Sequence, residues 1–183
     1  MKALIHNNQF LTKKLVCLLA LLFFSLSYAQ KPVKDIKSEF TADVLSQKLI
    51  GADGKKQTIA QVLKPYEGKV VLIDFWASWC RDCILALPKT NALKSENPDL
   101  VVIYFSLDRT HDQWKRGLDK YGIAGGINYW FDEGWKNKFN DYIELNWVPR
   151  FILVDQSGKI ADYYAITPDD PELLATVKKL TQR

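Results

Sequence analysis

The sequence has few of the residues that most often build reactive or metal-binding sites. Its 183 residues include three cysteines and two histidines. Residues 15–24 form an uncharged apolar run of about ten residues, well short of the roughly 20 that a membrane-spanning helix needs. The sequence contains no internal repeat and no low-complexity segment. These absences leave an ordinary globular chain behind a short apolar N-terminal segment.

The first 29 residues have the three parts of a secretory signal peptide. Three lysines among the first 14 residues precede the apolar run, and Ser27 and Ala29 place small residues at the −3 and −1 positions of a cleavage site. We expect cleavage before Gln30 and export to the periplasm or the extracytoplasmic face of a membrane. An uncleaved signal that anchors the chain is the alternative, and lipidation at Cys17 is disfavoured because a lysine stands where its signal should begin.

Removal of residues 1–29 changes the charge and cysteine counts. The signal peptide carries three lysines and no acid, so 22 of the 25 basic residues remain against 21 acidic residues, a net charge of +1. A charge so close to zero gives no electrostatic reason to expect a nucleic-acid partner. Cys80 and Cys83 remain as the only cysteines.

We divide the mature chain into a polar lead-in, residues 30–38, and one domain, residues 39–183. A turn at residues 51–54 predicts an N-terminal β-hairpin, whereas residues 122–135 fit no pattern. The alternation of strands and helices predicts an α/β domain with a mostly parallel central sheet and a hairpin edge. The predicted strands are 70–75, 100–105, 151–154 and 160–165, and the predicted helices are 59–63, 84–94, 112–121, 135–143 and 171–180.

The two cysteines stand in a C-x-x-C pattern between a predicted buried strand and a predicted helix. The unpaired amides and positive dipole end of a helix N-terminus favour a thiolate, which is the form that attacks disulfides. We therefore expect Cys80 to be the exposed nucleophile and Cys83, one helical turn further, to be shielded and to resolve the mixed disulfide. A disulfide over so short a loop constrains the unfolded chain little, so an inert structural bridge is a weaker interpretation.

Metal and haem sites fit this pair poorly. A c-type haem needs histidine directly after the second cysteine, and Ile84 stands there. Zinc needs four ligands, and His111 is the one further soft ligand of the mature chain. His111 with Asp108 and Asp112 could form a metal or base cluster, but a solvated helix start is the better interpretation. We expect no metal and no bound cofactor.

The segment of residues 74–83, Asp-Phe-Trp-Ala-Ser-Trp-Cys-Arg-Asp-Cys, resembles the active site of the thioredoxin superfamily. The exported leader, the early hairpin and the roughly 60 residues between Cys83 and Pro149 resemble its extracytoplasmic TlpA/ResA-like branch. The resemblance covers approximately residues 40–182. It implies a thioredoxin-like fold, a central mixed β-sheet flanked by helices, and thiol-disulfide oxidoreductase activity.

The resemblance also assigns roles to single residues. Asp74 stands where the family keeps a buried acid, which can take the proton of Cys83, although it could instead cap the following turn. Pro88 stands where the family helix is kinked. Pro149 stands where the family has a cis-proline that presents the Val148 backbone to a substrate, although it could be a simple strand-entry proline.

Other aromatic residues allow two interpretations. Trp79 can shield the dithiol and contact partners, or it can be a core residue. Trp147, close to the expected cis-proline, is a further candidate for substrate contact. The aromatic residues between them are better explained as core. They are Tyr129, Trp130, Phe131, Trp135, Phe139 and Tyr142.

The direction of electron flow stays open at this point, because Arg81 should stabilise a thiolate and Asp82 should oppose it. The resemblance favours a monomeric reductant of exported proteins with thiols or disulfides, such as apocytochrome c, supplied with electrons by a membrane donor. Two other functions remain possible on the same scaffold. They are a thiol peroxidase, although no T-x-x-C precedes Cys80, and a non-catalytic binding module.

Overall fold

The computed structural model describes residues 35–182. The predicted signal peptide and the first part of the lead-in lie outside the described residues. Of the lead-in, Ser38 is tied to the domain, since its carbonyl accepts a hydrogen bond of 2.9 Å from the Ile160 amide. Within residues 35–182, none of the helices has the length and hydrophobicity required to cross a bilayer.

Strands and short helices alternate along the described chain. The strands are β1 Lys48–Gly51, β2 Lys56–Thr58, β3 Val70–Trp76, β4 Leu100–Ser106, β5 Ile127–Trp130, β6 Arg150–Val154 and β7 Ile160–Ala165. The helices are α1 Ala42–Leu45, α2 Ile59–Leu63, α3 Arg81–Glu96, α4 His111–Lys120, α5 Lys138–Tyr142 and α6 Pro171–Thr181, with a 3-10 turn at Lys64–Tyr66.

The strands form one mixed sheet in the order β2-β1-β5-β4-β3-β6-β7. The crossovers through α3 and α4 make β3, β4 and β5 parallel. The other neighbouring pairs are antiparallel. The prediction of a mixed sheet with an N-terminal hairpin is confirmed, and the prediction of a mostly parallel sheet is wrong. A strand buried on both faces is continuously apolar whichever way its neighbour runs, so the apolar run in β6 could not reveal its direction.

Strand β3 lies between β4 and β6, and all seven of its residues are buried. Helix α3 follows its carboxyl end after a turn of four residues, 77–80, which carries the dithiol's first cysteine. Two elements escaped the sequence analysis. Strand β5 carries the buried polar Asn128, whose amide donates to the Ile123 carbonyl at 2.7 Å, and α1 is only four residues long.

Most of the aromatic side chains between residues 129 and 142 belong to the core, as predicted. Trp130, Phe131 and Phe139 are buried, and the others pack partly buried against them. Phe139 of the short helix α5 is the centre of an aromatic group, with ring centroids 5.2–6.3 Å from its neighbours. Those neighbours are Phe40, Phe75, Phe105 and Phe131.

Truncation of this central ring should therefore be costly. We expect Phe139→Ala to lower the free energy of unfolding by about 3–5 kcal/mol, the range for removal of a buried phenylalanine. Leu174→Ala, at a residue that is 38% exposed, should change it by less than about 1 kcal/mol. Urea unfolding followed by circular dichroism measures both, and equal losses in the two variants would contradict this packing.

Candidate active site

Cys80 is the N-cap residue of α3. Its backbone is extended, and its amide donates to the Ala77 carbonyl at 3.0 Å, which closes the turn after β3. Its sulfur accepts the Cys83 amide at 3.1 Å, in the place that serine or aspartate oxygen takes in most N-caps. Cys80 and Cys83 form a disulfide, with their Cα atoms 5.3 Å apart.

Both cysteines are buried. Cys80 is 7% exposed and Cys83 is 2% exposed. The prediction of an exposed Cys80 is therefore wrong for the disulfide form. Cys80 is nevertheless more exposed than Cys83, as expected. The Cys80 sulfur lies 3.5 Å from the Val148 carbonyl oxygen, so the loop before β6 covers it from one side.

Asp74 lies in the middle of β3 and is 2% exposed. Its carboxyl group accepts a hydrogen bond from the Thr90 hydroxyl at 3.5 Å. Thr90 and Cys83 are both buried on α3 and lie seven residues, or about two turns, apart, so both belong to the helix face that covers β3. Desolvation raises the pKa of Asp74 to about 8, and the Thr90 hydrogen bond opposes this shift. A side chain with this environment does not cap the following turn.

The loop before β6 contains a cis peptide bond between Val148 and Pro149. Val148 and Pro149 are half-buried, whereas Trp147 is 40% exposed and packs edge-on against Tyr164, with ring centroids 6.2 Å apart. The structure thus brings the Val148 backbone to Cys80 and leaves the preceding tryptophan at the surface.

The residues next to the dithiol face solvent. Trp79 is 49% exposed, which rules out its interpretation as a core tryptophan. Arg81 and Asp82, between the cysteines, are also exposed. Pro88 lies inside α3, which continues beyond it to Glu96.

The prediction of a solvated helix start at Asp108, His111 and Asp112 is only partly correct. His111 and Asp112 are exposed, but Asp108 is fully buried. Its carboxylate accepts hydrogen bonds from Ser78, two residues before Cys80. Sequence reasoning missed this residue, and the signal that could have found it was an acid two residues after an apolar strand. The part of the chain that the structure describes holds no cluster of three or more His, Cys, Asp and Glu side chains suited to a metal.

Comparison with known proteins agrees with this geometry. The family model described as thioredoxin-like matches residues 68–160. The thiol-disulfide oxidoreductase ResA of Bacillus thuringiensis (strain Al Hakam) is 26% identical over 121 residues, which cover 65% of this chain and 68% of that one. The crystal structure of the thioredoxin domain of a Bacteroides vulgatus thiol-disulfide oxidoreductase aligns with a TM-score of 0.64 at 21% identity, covering 81% and 99% of the two chains.

A secreted Mycobacterium tuberculosis disulfide oxidoreductase homologous to E. coli DsbE aligns with a TM-score of 0.58 at 18% identity, covering 76% of this chain and all of that one. The two solved structures support the fold. The chain belongs to the thioredoxin-like family. Within that family it is a thiol-disulfide oxidoreductase, and it is similar to ResA.

The raised pKa of Asp74 makes the stability of the fold depend on pH. Between its ordinary value of 3.8 and about 8, the folded protein keeps a proton on Asp74 that the unfolded chain has lost. The free energy of unfolding should therefore fall as pH rises through this window. One pKa unit corresponds to about 1.4 kcal/mol, so we expect a fall of at least about 2 kcal/mol.

The comparison of Asp74→Asn with the parent isolates this effect, because an amide does not titrate. Urea unfolding at pH 5 and pH 8 should show a much smaller fall in the variant. Asp119→Asn, at an exposed position of α4, is the matched control and should keep the parent's dependence. A parent protein whose stability does not fall between these pH values would contradict the assignment.

Proposed function

We propose that this chain reduces disulfides in exported proteins, with Cys80 as the attacking and Cys83 as the resolving cysteine. The observation that carries the proposal is the position of the Cys80 sulfur at the start of α3, 3.1 Å from the Cys83 amide. After reduction, that amide and the helix dipole stabilise negative charge on Cys80 and lower its pKa. Cys83 is one turn further into the helix, nearly inaccessible, and therefore suited to the second step.

In the first step, the Cys80 thiolate attacks one sulfur of a substrate disulfide. A bond forms between the two sulfurs, the substrate S–S bond breaks, and the leaving sulfur departs as a thiolate that takes a proton from water. The Val148 carbonyl beside the Cys80 sulfur is available to pair with an extended substrate segment, and the cis bond at Pro149 presents it in that direction.

In the second step, Cys83 gives its proton to the ionised form of Asp74, which is the minor form below pH 8, and attacks the Cys80 sulfur as a thiolate. The mixed disulfide breaks, the second substrate sulfur leaves as a thiolate that takes a proton from water, and the Cys80–Cys83 disulfide forms. Two electrons pass from the enzyme dithiol to the substrate. A carboxyl group with a pKa of about 8 is a suitable acceptor, because such a pKa lies close to that of a thiol.

The direction of electron flow and the location rest on different support. The predicted signal peptide, residues 1–29, favours export, and one structural relative is a secreted protein. Resemblance to ResA favours a reductant, so the substrates are exported proteins with thiols or disulfides, apocytochrome c being one example. A membrane protein then returns electrons to the Cys80–Cys83 disulfide. We further propose that the domain of residues 39–183 acts as a monomer.

The surface around the dithiol supports a protein substrate over a small thiol. Trp79, Leu85, Trp147 and Ile166 are between 40% and 58% exposed. Leu85 and Ile166 line a groove together with Pro149. Trp79 directly precedes Cys80, and Trp147 directly precedes Val148, whose carbonyl oxygen lies beside the Cys80 sulfur. Such an exposed apolar group at a reactive site is typical of an interaction surface.

Single substitutions of the two cysteines should separate their roles. We expect Cys80→Ser to reduce the rate of insulin reduction by dithiothreitol-recycled enzyme to background, because the attacking thiolate is gone. Cys83→Ser should also lose turnover but should accumulate a mixed disulfide with insulin, visible on non-reducing gels. Insulin reduction by Cys80→Ser at the parent rate would overturn the proposal.

The same preparations test the peroxidase alternative. The nearest hydroxyl before Cys80 belongs to Ser78, and it donates to Asp108 at 2.7 Å. We therefore expect the reduced enzyme to consume hydrogen peroxide much more slowly than it reduces insulin, as followed by stopped-flow fluorescence. Peroxide consumption that outpaces insulin reduction would favour the peroxidase.

A further inference from the structure

Asp108 is a fully buried acid beside the turn that carries Cys80. Three donors surround its carboxylate. The Ser78 amide lies 3.1 and 3.2 Å from the two oxygens, the Ser78 hydroxyl donates at 2.7 Å, and the Ser106 hydroxyl donates at 2.9 Å. Within residues 35–182, no basic side chain forms an ion pair with it. Its hydrogen bonds are therefore what compensates its burial.

Ser78 is held on its other sides as well. Its carbonyl accepts the Tyr121 hydroxyl at 3.3 Å. Helix α4 lies directly against it, because a Cβ atom on Gly117 would come within 2.5 Å of the Ser78 Cβ atom. The Asp108 backbone is fixed in turn, since its carbonyl accepts the Trp130 indole N–H at 2.7 Å. The turn before Cys80 is thus anchored to β4, α4 and β5.

This anchor acts on the residue that caps α3. Residues 77–80 are the whole connection from β3 to α3, and Ser78 is in its middle. Loss of the Asp108 carboxylate would leave the Ser78 amide and hydroxyl buried without their acceptor. The turn would then relax, and the Cys80 sulfur would move with it away from the Cys83 amide.

We propose that Asp108 is a positioning residue that acts through Ser78 to hold the Cys80 sulfur at the N-terminus of α3. The inference rests on the proposed function, in which Cys80 is the attacking thiolate. Asp108 does not touch the reacting atoms. Its contribution is the geometry that lets the Cys83 amide stabilise the thiolate.

The negative charge of Asp108 and its hydrogen bonds to Ser78 have opposite effects on the Cys80 thiolate. Removal of a negative charge near Cys80 would favour its thiolate and speed its alkylation at neutral pH. Loss of the anchor would disfavour the thiolate and slow alkylation. Ser78→Ala separates the two, because it removes a hydrogen bond of the anchor and leaves the carboxylate in place.

The test uses the full chain in a Cys83→Ser background, where Cys80 is the reactive thiol of the domain. The rate of iodoacetamide alkylation is measured from pH 5 to pH 10. We expect Ser78→Ala and Asp108→Ala, which both remove hydrogen bonds between Ser78 and the carboxylate, to slow alkylation at pH 7 by about threefold or more and to move the profile to higher pH. Arg81, Asp82 and Asp74, the other charged or titratable groups near the helix start, are the same in all variants.

Ser106→Ala is the control, because it removes the Ser106 hydrogen bond to the same carboxylate and the bond that the Asp108 amide donates to Ser106, and leaves both Ser78 donors in place. Its alkylation rate should stay within twofold of the parent's. Gly117→Ala is a second probe, since its methyl group would push Ser78 away while alanine favours the helix itself by about 1 kcal/mol. It should slow alkylation in the same way, with unchanged helix content by circular dichroism.

The outcomes are distinct. An unreactive Cys80 in the parent would count against the proposed function before any variant is compared. A reactive parent matched by Ser78→Ala and Gly117→Ala would overturn the positioning role. Faster alkylation in Asp108→Ala, which removes both the charge and the acceptor, would overturn it as well, because it would show that Asp108 acts mainly through its charge.

Discussion

The proposed chemistry of this chain depends on one backbone hydrogen bond, 3.1 Å long, which the Cys83 amide donates to the Cys80 sulfur. The bond exists because Cys80 is the last extended residue before α3, at the point where four amides of any helix lack partners. It places one cysteine at the helix start and the other one turn inside. The order of the two thiols in the proposed reaction follows from this placement. The rest of the fold keeps the start of α3 in position.

Two buried carboxyl groups, those of Asp74 and Asp108, lie near the start of α3, and their surroundings differ. Asp74, beneath α3, has a single long hydrogen bond, so desolvation dominates and raises its pKa to about 8. Asp108, on the side of β4, is surrounded by three donors and holds the turn before Cys80. The first environment suits a group that accepts and returns a proton. The second suits a fixed acceptor that holds backbone in place.

The sequence predicted the structure best where reactive residues lie next to a regular hydrophobic pattern. The apolar run of β3 and the spacing around Cys80 and Cys83 predicted the strand, the helix and the dithiol between them. Resemblance to the superfamily implied a mixed sheet and a cis bond at Pro149, and the structure has both. The sheet order and the direction of β6 could not be derived from residues alone, because apolar runs carry no sign of strand direction.

Burial of single side chains was the least predictable property. Cys80 is covered by the Val148 loop, which lies 68 residues further along the chain. The sequence pattern indicates a loop acid at Asp108, beside two exposed residues. Two of its three donors nevertheless belong to Ser78, which the parallel pairing of β3 with β4 brings to it, and the third belongs to the nearby Ser106. Trp79 is hydrophobic and adjacent to the core strand, and it is nevertheless half exposed. The burial of Cys80 and that of Asp108 both depend on contacts between distant segments.

The division of roles between the cysteines can be tested by locating a trapped mixed disulfide. Trypsin cleaves after Lys69, Arg81 and Lys89, so Cys80 and Cys83 fall on separate peptides, residues 70–81 and 82–89. The Cys83→Ser protein is reduced, mixed with a cystine-containing peptide, acid-quenched and mapped by mass spectrometry.

The account predicts a stable adduct on the peptide of residues 70–81, formed within seconds at pH 7. The Cys80→Ser protein should form an adduct on residues 82–89 at least about a hundredfold more slowly, because its thiol is inaccessible and lacks the helix N-terminus. Equal rates of adduct formation in the Cys83→Ser and Cys80→Ser proteins, or faster reaction at Cys83, would contradict the account.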